Sequence, residues 1–176
     1  MAASDATLVL KALNGDQAAF GELYDRYAGL VRAIGYDSIS DRDAVQDLTQ
    51  EVFIRAYTKL SGLKEPDRFG PWLVGMAKNV GREFRRGKAR DRHVLVGLEP
   101  EAPAVEATDE QQERLKLVSE AMKTLDEQEQ LALHVHYLRN ENADEGKKLL
   151  GMSRSSYYRL LDRAKKKIGK ILESDD

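Results

Sequence analysis

Apolar residues recur along this chain at the three- and four-residue spacing of amphipathic α-helices. In the first half this pattern predicts a short helix over residues 7–13 and a long helix that is capped by Asp16. Two more helices are predicted over residues 41–60 and from about residue 69 to 92, and residues 35–40 are predicted to form a loop. No stretch of useful length alternates apolar and polar residues as a half-buried strand does. The pattern therefore predicts an all-α fold.

The helical pattern stops near residue 94 and returns near residue 110. Residues 94–109 contain two prolines and four acidic residues without lysine or arginine, a composition typical of an extended linker. The sequence thus predicts a helical domain over residues 1–93, an acidic linker over 94–109 and a second helical domain over 110–176. The linker is either a simple spacer or an acidic strand that lies in a basic groove of a partner.

The second domain carries the pattern of a helix-turn-helix. A capping box at Asp126 and Glu129 opens one helix, and a short helix over residues 143–150 leads through Gly151 to a longer helix that begins at Ser153. The outward side of this longer helix is polar and basic, so its first turns are expected to approach base edges. The candidate DNA contacts are Ser153, Arg154, Ser155, Ser156, Tyr158, Arg159, Arg163 and Lys165. A plain helical hairpin is the alternative.

The predicted helix over residues 41–60 has an apolar side and an acidic side. The buried stripe is expected to consist of Val45, Leu48, Val52, Phe53, Ala56 and Leu60. Asp47, Gln50 and Glu51 fall on the opposite side together with Ile54, and Tyr57 lies beside them. An isoleucine framed by acids and an amide is typical of an interface anchor with a polar rim. A solvated face with an ordinary exposed isoleucine explains the same spacing, so both interpretations stay open.

The next predicted helix combines an apolar side, built on Phe69, Trp72 and Leu73, with a basic end. Its candidate phosphate-binding residues are Lys78, Arg82, Arg85 and Arg86. Asp67 is the expected N-cap of this helix. The short polar loop before it, residues 61–68, is suited to close over an unstacked base, and Asn79 offers an amide to such a base. The competing interpretation of the charge run is a solvated helix end.

Composition excludes several classes of function. The formal net charge of −2 over 176 residues is nearly neutral, so only the distribution of charge is informative. The chain has no cysteine, its three histidines form no ligand cluster, and no catalytic motif is present, so we expect no metal, no cofactor and no enzymatic activity. The absence of a secretion signal and of a run of roughly 20 apolar residues predicts a cytoplasmic protein without membrane insertion.

Four motifs together resemble those of bacterial RNA polymerase sigma factors of the extracytoplasmic-function (ECF) group, and the resemblance covers most of the chain. GDQAAFGELYDRY (residues 15–27) is similar to the family's opening helix, and DLTQEVFIRAY (residues 47–57) to its polymerase-binding helix. Phe69 with WL at 72–73 and AKN at 77–79 resembles the promoter-melting helix. LDEQE at 125–129 and the helix-turn-helix resemble the second DNA-binding domain. The implied fold is a region 2-like helical bundle followed by a region 4-like helix-turn-helix domain.

The resemblance implies a subunit that binds core RNA polymerase and directs promoter recognition, DNA melting and transcription initiation. Residues matching the positions that dock on the coiled-coil clamp of the polymerase β′ subunit are Asp47, Gln50, Glu51, Phe53, Ile54 and Tyr57. Residues matching those at the minus-10 element are Lys64, Asp67, Arg68, Trp72, Lys78, Asn79, Arg82, Arg85 and Arg86. The outward residues of the last helix match the minus-35 readers. The implied partners are core polymerase, promoter DNA and an anti-sigma protein, and the linker would thread the polymerase toward its active centre.

Three residues depart from the family's pattern. Gly146 and Lys147 stand where the family usually has an aliphatic residue and an alanine, which predicts an altered packing angle of the recognition helix. Tyr158 stands where a basic residue is frequent, which predicts altered base readout. Two other functions fit the residues alone: a stand-alone helix-turn-helix regulator that binds DNA without polymerase, and a helical adaptor with no role on DNA.

Overall fold

The structure, a computed structural model, describes residues 3–92, 108–139 and 143–173. These ranges are helical and contain no strand, which confirms the predicted all-α fold. Two compact units divide the chain, Met1–Pro100 and Glu101–Asp176, and are called here the first and the second unit. The described α-helices are α1 (Asp5–Leu13), α2 (Gln17–Ser38), α3 (Arg42–Lys59), α4 (Phe69–Arg92), α5 (Asp109–Lys123), α6 (Glu127–Leu138), α7 (Ala143–Leu150) and α8 (Arg154–Glu173).

The predicted linker over residues 94–109 lies outside the described residues, except for Thr108 and Asp109. Asp109 already belongs to α5, because Thr108 and Gln111 form a capping box that opens the helix there. The predicted domain boundaries at residues 93 and 109 therefore stay predictions, although the chain does form two helical units.

In the first unit α2 is the central helix, and α1, α3 and α4 all pack against it. It begins where the sequence predicts, because the Asp16 side chain accepts a hydrogen bond from the Ala19 N–H at 3.1 Å. Gly15, at φ +93°, ends α1 just before it in a left-handed conformation that glycine adopts without strain. One apolar side of α2 faces the core, with Leu23, Tyr27, Leu30, Val31 and Ile34 buried.

The prediction of a loop over residues 35–40 is wrong, because α2 continues to Ser38. Gly35 is buried inside the helix, where an added Cβ would lie 3.1 Å from a methyl carbon of Val45 and 3.4 Å from one of Leu48. The missing side chain at residue 35 therefore lets α2 and α3 approach closely. Gly35 marks the place where two helices cross, not the end of a helix.

Two 3-10 turns, Leu60–Gly62 and Pro66–Arg68, join α3 to α4. Asp67 lies inside the second turn and α4 begins at Phe69, so the predicted N-cap at Asp67 is wrong. Helix α1 packs against both turns. It is held in place by Arg26, whose guanidinium donates to Asp5 Oδ1 at 2.8 Å and to the Ala3 carbonyl at 2.7 Å. The polar loop between α3 and α4 is thus braced by the start of the chain.

In the second unit α8 packs against α5, α6 and α7. The predicted capping box at the start of α6 is confirmed: the Asp126 carboxylate accepts the Glu129 N–H at 2.8 Å, and Glu129 accepts the Asp126 N–H at 3.0 Å. Helix α7 ends at Gly151, whose φ of +67° turns the chain toward Ser153. The Ser153 hydroxyl accepts the Ser156 N–H at 3.2 Å and caps α8, so the predicted helix-turn-helix is present.

The unusual Gly146 of α7 has a partner in α8. A Cβ added at Gly146 would lie 2.4 to 2.8 Å from the ring carbons and hydroxyl oxygen at the tip of Tyr157, closer than any side chain tolerates. Tyr157 is fully buried, and its hydroxyl points toward the Ala132 carbonyl at 3.4 Å. The tyrosine ring therefore fills the space that a side chain at residue 146 would need.

Candidate functional site

One side of α3 presents a polar surface with exposed apolar residues, called here the α3 face and formed by Asp47, Gln50, Glu51, Ile54 and Tyr57. Ile54 is 61% exposed and Tyr57 48% exposed, although both lie on a helix whose opposite side is the core of the unit. Asp47 and Gln50 are exposed and Glu51 is half-buried. The predicted stripe on the other side of α3 is buried throughout, which confirms the predicted orientation of the helix.

The placement of Phe53 among the docking residues is corrected by its burial. Its side chain is only 4% exposed, and its ring centroid lies 4.5 Å from that of Tyr24 and 6.4 Å from that of Phe20. The Phe20 ring in turn meets Tyr57 edge-on at 4.9 Å. Phe53 thus supports the α3 face from beneath, and Phe20 fixes the Tyr57 ring that is exposed on it.

The exposed side of α4 is basic over the part whose side chains are described. The α4 basic face consists of Lys78, Asn79, Arg82, Arg85 and Arg86, of which Lys78 is half-buried and the others are exposed. Arg82 donates to the Asn79 side-chain oxygen at 3.1 Å, which orients that amide. Trp72, in the first turn of α4, is half-buried, and the centre of its ring lies 6.0 Å from that of Phe69. Exposed cations, an amide and an aromatic ring on one helix are groups suited to binding phosphates and bases.

The loop that precedes α4 keeps its predicted base-capturing residues in water. Lys64, Asp67 and Arg68 are all exposed, and the Arg68 guanidinium pairs with Glu65 at 3.1 Å. The two 3-10 turns and α1 hold the backbone of this loop, so its side chains project from a braced support.

On α8 the outward residues fall into two groups. Arg154, Ser155, Tyr158 and Arg159 are exposed and form the α8 outer face. The Arg154 guanidinium lies 5.8 Å from the centre of the Tyr158 ring, and Arg159 donates to the Ser156 hydroxyl at 3.3 Å. Ser153 and Ser156 belong to the N-terminal cap of α8. The Ser153 hydroxyl accepts the Ser156 N–H, and the two hydroxyls are hydrogen-bonded to each other.

Arg163 and Lys165 are exposed, and both also have partners on α6. Arg163 donates to Glu129 Oε1 at 2.8 Å, and Lys165 lies 2.9 Å from His136 Nε2 and 5.5 Å from the centre of the Tyr137 ring. Both side chains therefore reach toward α6 and hold α8 in place. Their sequence separation from these partners hid this role from the pattern along α8.

The Glu129 carboxylate is the electrostatic centre of the second unit. It is fully buried, and it accepts hydrogen bonds from Arg163 at 2.8 Å and from Lys167 at 2.8 Å. Burial raises the pKa of Glu129. The hydrogen bonds from Lys167, the Asp126 N–H and Arg163 together lower it by more than burial raises it, so the pKa lies below its ordinary value. A buried charge that is paired in this way fixes α8 against α6.

Acidification is expected to destabilise the second unit through Glu129. A carboxylate whose pKa is lower in the folded than in the unfolded chain stabilises the fold above its unfolded pKa of about 4.3, and this stabilisation is lost as the pH falls through the folded value. Glu129→Gln should lower the Tm near neutral pH and flatten its fall below about pH 5. Circular dichroism melts across pH test this, with exposed Glu120→Gln as the control. Parallel losses of Tm in wild type and Glu129→Gln would contradict it.

Arg55 was absent from the predicted sets, although it lies between the two surfaces of the first unit. Its Nε donates to Glu51 Oε1 at 2.6 Å, and its Nη1 lies 2.8 Å from Glu83 Oε2 on α4. The four-residue spacing of Glu51 and Arg55 is a signal that the sequence contains. The contact with Glu83 depends on how α3 packs against α4, which the sequence does not state.

The described residues contain no group of three or more histidine, cysteine or acidic side chains placed to hold a metal ion. Within the same part of the chain, no helix has the length and apolar character needed to cross a membrane.

Comparison with known proteins shows what these surfaces are similar to. The model of sigma-70 region 2 matches residues 23–91, which include α3, the braced loop and α4. The chain is 29% identical over 160 residues to the probable RNA polymerase sigma factor RfaY of Xanthomonas campestris pv. campestris, covering 86% of this chain and 40% of that protein. It is 27% identical over 173 residues to the ECF RNA polymerase sigma factor BldN of Streptomyces coelicolor, covering 96% of this chain and 66% of that protein.

The chain thus spans less than two thirds of the length of these two relatives. Among solved structures, CnrH in complex with the cytosolic domain of CnrY has the same fold, with a TM-score of 0.66 at 24% identity over 98% of this chain and 99% of that one. The region 2 match covers the surfaces on α3 and α4, and the relatives extend the similarity over both units. Residues 23–91 thus match sigma-70 region 2, and the chain as a whole is similar to RNA polymerase sigma factors, including those of the extracytoplasmic-function group.

Proposed function

We propose that this protein binds core RNA polymerase and directs it to promoters, where it assists DNA melting and the start of transcription. The α3 face docks on the coiled-coil clamp of the polymerase β′ subunit. The α4 basic face and the loop before it bind the minus-10 element, and the α8 outer face binds the minus-35 element.

The observation that carries this proposal is the pairing of two unlike surfaces on adjacent helices. On α3, the exposed Ile54 is surrounded by acidic and amide side chains. The neighbouring α4 carries an exposed basic face with Asn79 and the half-buried Trp72. A polar rim around an exposed apolar residue fits a protein partner, and a basic surface with an aromatic residue fits single-stranded DNA. Because α3 packs directly against α4, the two surfaces are held side by side, which fits a protein that binds DNA and a polymerase at once.

Each part of the minus-10 site has a proposed task. Lys64, Asp67 and Arg68 of the loop, with Asn79, hold an unstacked base, and Trp72 supports it from the start of α4. Lys78, Arg82, Arg85 and Arg86 bind the nearby phosphates. In the second unit, Arg154, Ser155, Tyr158 and Arg159 read the minus-35 bases, with Ser153 and Ser156 at the helix start. Arg163 and Lys165 keep α8 at the angle that this readout needs.

The polymerisation chemistry belongs to the partner, so we propose no enzymatic activity for this chain, and the cytoplasm as its place of action. Residues 94–109 would thread the polymerase toward its active centre. The similar protein CnrH was solved with the cytosolic domain of CnrY bound to it. We extend this to an anti-sigma partner of the present protein, which would hold it inactive until release.

Promoter selection by the reconstituted complex tests the function. Purified protein, core RNA polymerase and a library of promoter fragments are expected to yield transcription start sites that core polymerase alone does not use. Arg159→Glu should remove most of this selectivity, because it places a negative charge on the face that meets DNA. Lys116→Glu makes the same charge change at an exposed position of α5 and should leave start-site choice intact.

Sequence-specific binding by the protein alone, with no effect on polymerase, would instead favour a stand-alone regulator. If the protein does not bind DNA itself and does not change the start sites that core polymerase uses, a helical adaptor is favoured. Either result would overturn the proposed function.

A further inference from the structure

A single arginine connects the α3 face to the α4 basic face. Arg55 is half-buried between the helices, and its guanidinium donates through Nε to Glu51 and through Nη1 to Glu83, at 2.6 and 2.8 Å. The pKa of Arg55 is raised above its ordinary value by these two carboxylates, Glu51 first, so the group is firmly charged. The planar guanidinium can serve two carboxylates at once, which a lysine ammonium of the same charge does with less geometric control.

Glu83 occupies a position where a free carboxylate would oppose DNA binding. It is the only acidic residue between Lys78 and Gly87. On a helix, residues three and four apart are neighbours, so Glu83 lies beside Asn79 and Arg86 of the α4 basic face. An exposed carboxylate here would repel phosphates that Arg82 and Arg86 attract. Glu83 is still 44% exposed, but the contact with Arg55 at 2.8 Å turns its carboxylate toward α3 and offsets part of its charge.

We propose that Arg55 is a positioning residue that withdraws the Glu83 carboxylate from the DNA-binding side of α4 and holds Glu51 on the α3 face. One side chain thereby prepares both the polymerase-binding and the phosphate-binding surface of the first unit. This inference rests on the proposed function, since it concerns how the same two surfaces act.

A double-mutant cycle in the full chain tests the proposal. The complex with core polymerase is titrated with a fluorescent promoter fragment, using wild type, Arg55→Gln, Glu83→Gln and the double variant. Arg55→Gln should weaken DNA binding about tenfold, because the released carboxylate lies close to a phosphate. Glu83→Gln and the double variant should both stay within about twofold of wild type, since the repelling group is gone and Arg55 has nothing to withdraw.

Simple addition of charges predicts a different result. In that case Arg55→Gln weakens binding by the same factor whether residue 83 is Glu or Gln, and Glu83→Gln alone strengthens binding; this outcome would overturn the proposal. Arg55→Lys, which keeps the charge but loses the planar fork, should fall between wild type and Arg55→Gln. An affinity of Arg55→Lys equal to that of Arg55→Gln would mean that the fold, not the withdrawn carboxylate, is at fault, and would also overturn it.

The wild-type complex separates the two levels of inference. If wild type forms no promoter complex with core polymerase, the proposed function fails and the role of Arg55 fails with it. If wild type selects promoters and Arg55→Gln binds them equally well, only the role of Arg55 fails.

Discussion

Gly146→Ala is expected to destabilise the second unit strongly. The new methyl group would meet the Tyr157 ring at 2.4 Å, and this ring is fully buried between α6, α7 and α8. Overpacking of a tight core usually costs about 1–3 kcal/mol, and the upper end is expected here because the displaced ring is fully buried. The recognition helix should tilt or detach as the ring is displaced.

The chain provides its own control for this change. Gly169 lies on α8 with nothing within 4 Å of an added Cβ, so Gly169→Ala should stabilise the helix by roughly 0.5–1 kcal/mol. The same chemical substitution thus has opposite signs at two helical positions of one unit. Tyr157→Leu, combined with Gly146→Ala, should recover part of the lost stability because it removes the clashing ring atoms.

The single tryptophan makes the measurement specific. Trp72 lies in the first unit, so its fluorescence reports the unfolding of that unit, while far-ultraviolet circular dichroism reports both units. Gly146→Ala should shift the dichroism transition and leave the fluorescence transition in place. Unchanged transitions in both signals would show that the ring of Tyr157 yields without cost, and would contradict the fit described between α7 and α8.

Ile54→Glu is expected to abolish binding to core polymerase while leaving the protein folded. The side chain is 61% exposed, so the change costs little in the first unit. At the centre of an interface, by contrast, a buried apolar anchor contributes about 2 kcal/mol or more, and a glutamate would bring an unpaired charge into that site. We expect affinity for core polymerase to fall at least about 30-fold.

Leu10→Glu is the matched control for Ile54→Glu. Leu10 is 52% exposed on α1, so the variant makes the same change from an aliphatic to an acidic side chain outside the α3 face. Titration of labelled protein with core polymerase should give wild-type affinity for Leu10→Glu. Equal losses in the two variants would mean that the effect is general, and wild-type affinity for Ile54→Glu would remove the docking role of the α3 face.

The spacing along α3 was sufficient to predict its orientation, because one stripe of the helix is purely apolar and the core accepts all of it. The same reasoning misplaced the end of α2, since a glycine between apolar positions is compatible both with a turn and with a close helix crossing. Only the distance from Gly35 to Val45, 10 residues later, decides between them. Local sequence patterns thus predict which side of a helix is buried better than they predict where a helix ends.

The site was predictable to the extent that each residue acts alone. The exposed Ile54 and the basic residues of α4 were recognised from their own helices. The contact of Arg163 was not predicted because its partner, Glu129, lies 34 residues earlier, and Arg55 was missed because Glu83 belongs to another helix. Gly146 stood out as unusual in the sequence, yet the tyrosine that compensates for it lies beyond a turn. Charge pairs and packing between helices are properties of the assembled unit.

The fit between the ring of Tyr157 and the bare backbone at Gly146 has a consequence for chimeric proteins. The recognition helix of this protein cannot be grafted onto a relative that carries an aliphatic residue at the position of Gly146 without a steric conflict at the graft. Under the proposed function, exchange of promoter preference between such relatives requires α7 and α8 to be transferred as one piece, or residue 157 to be redesigned at the same time.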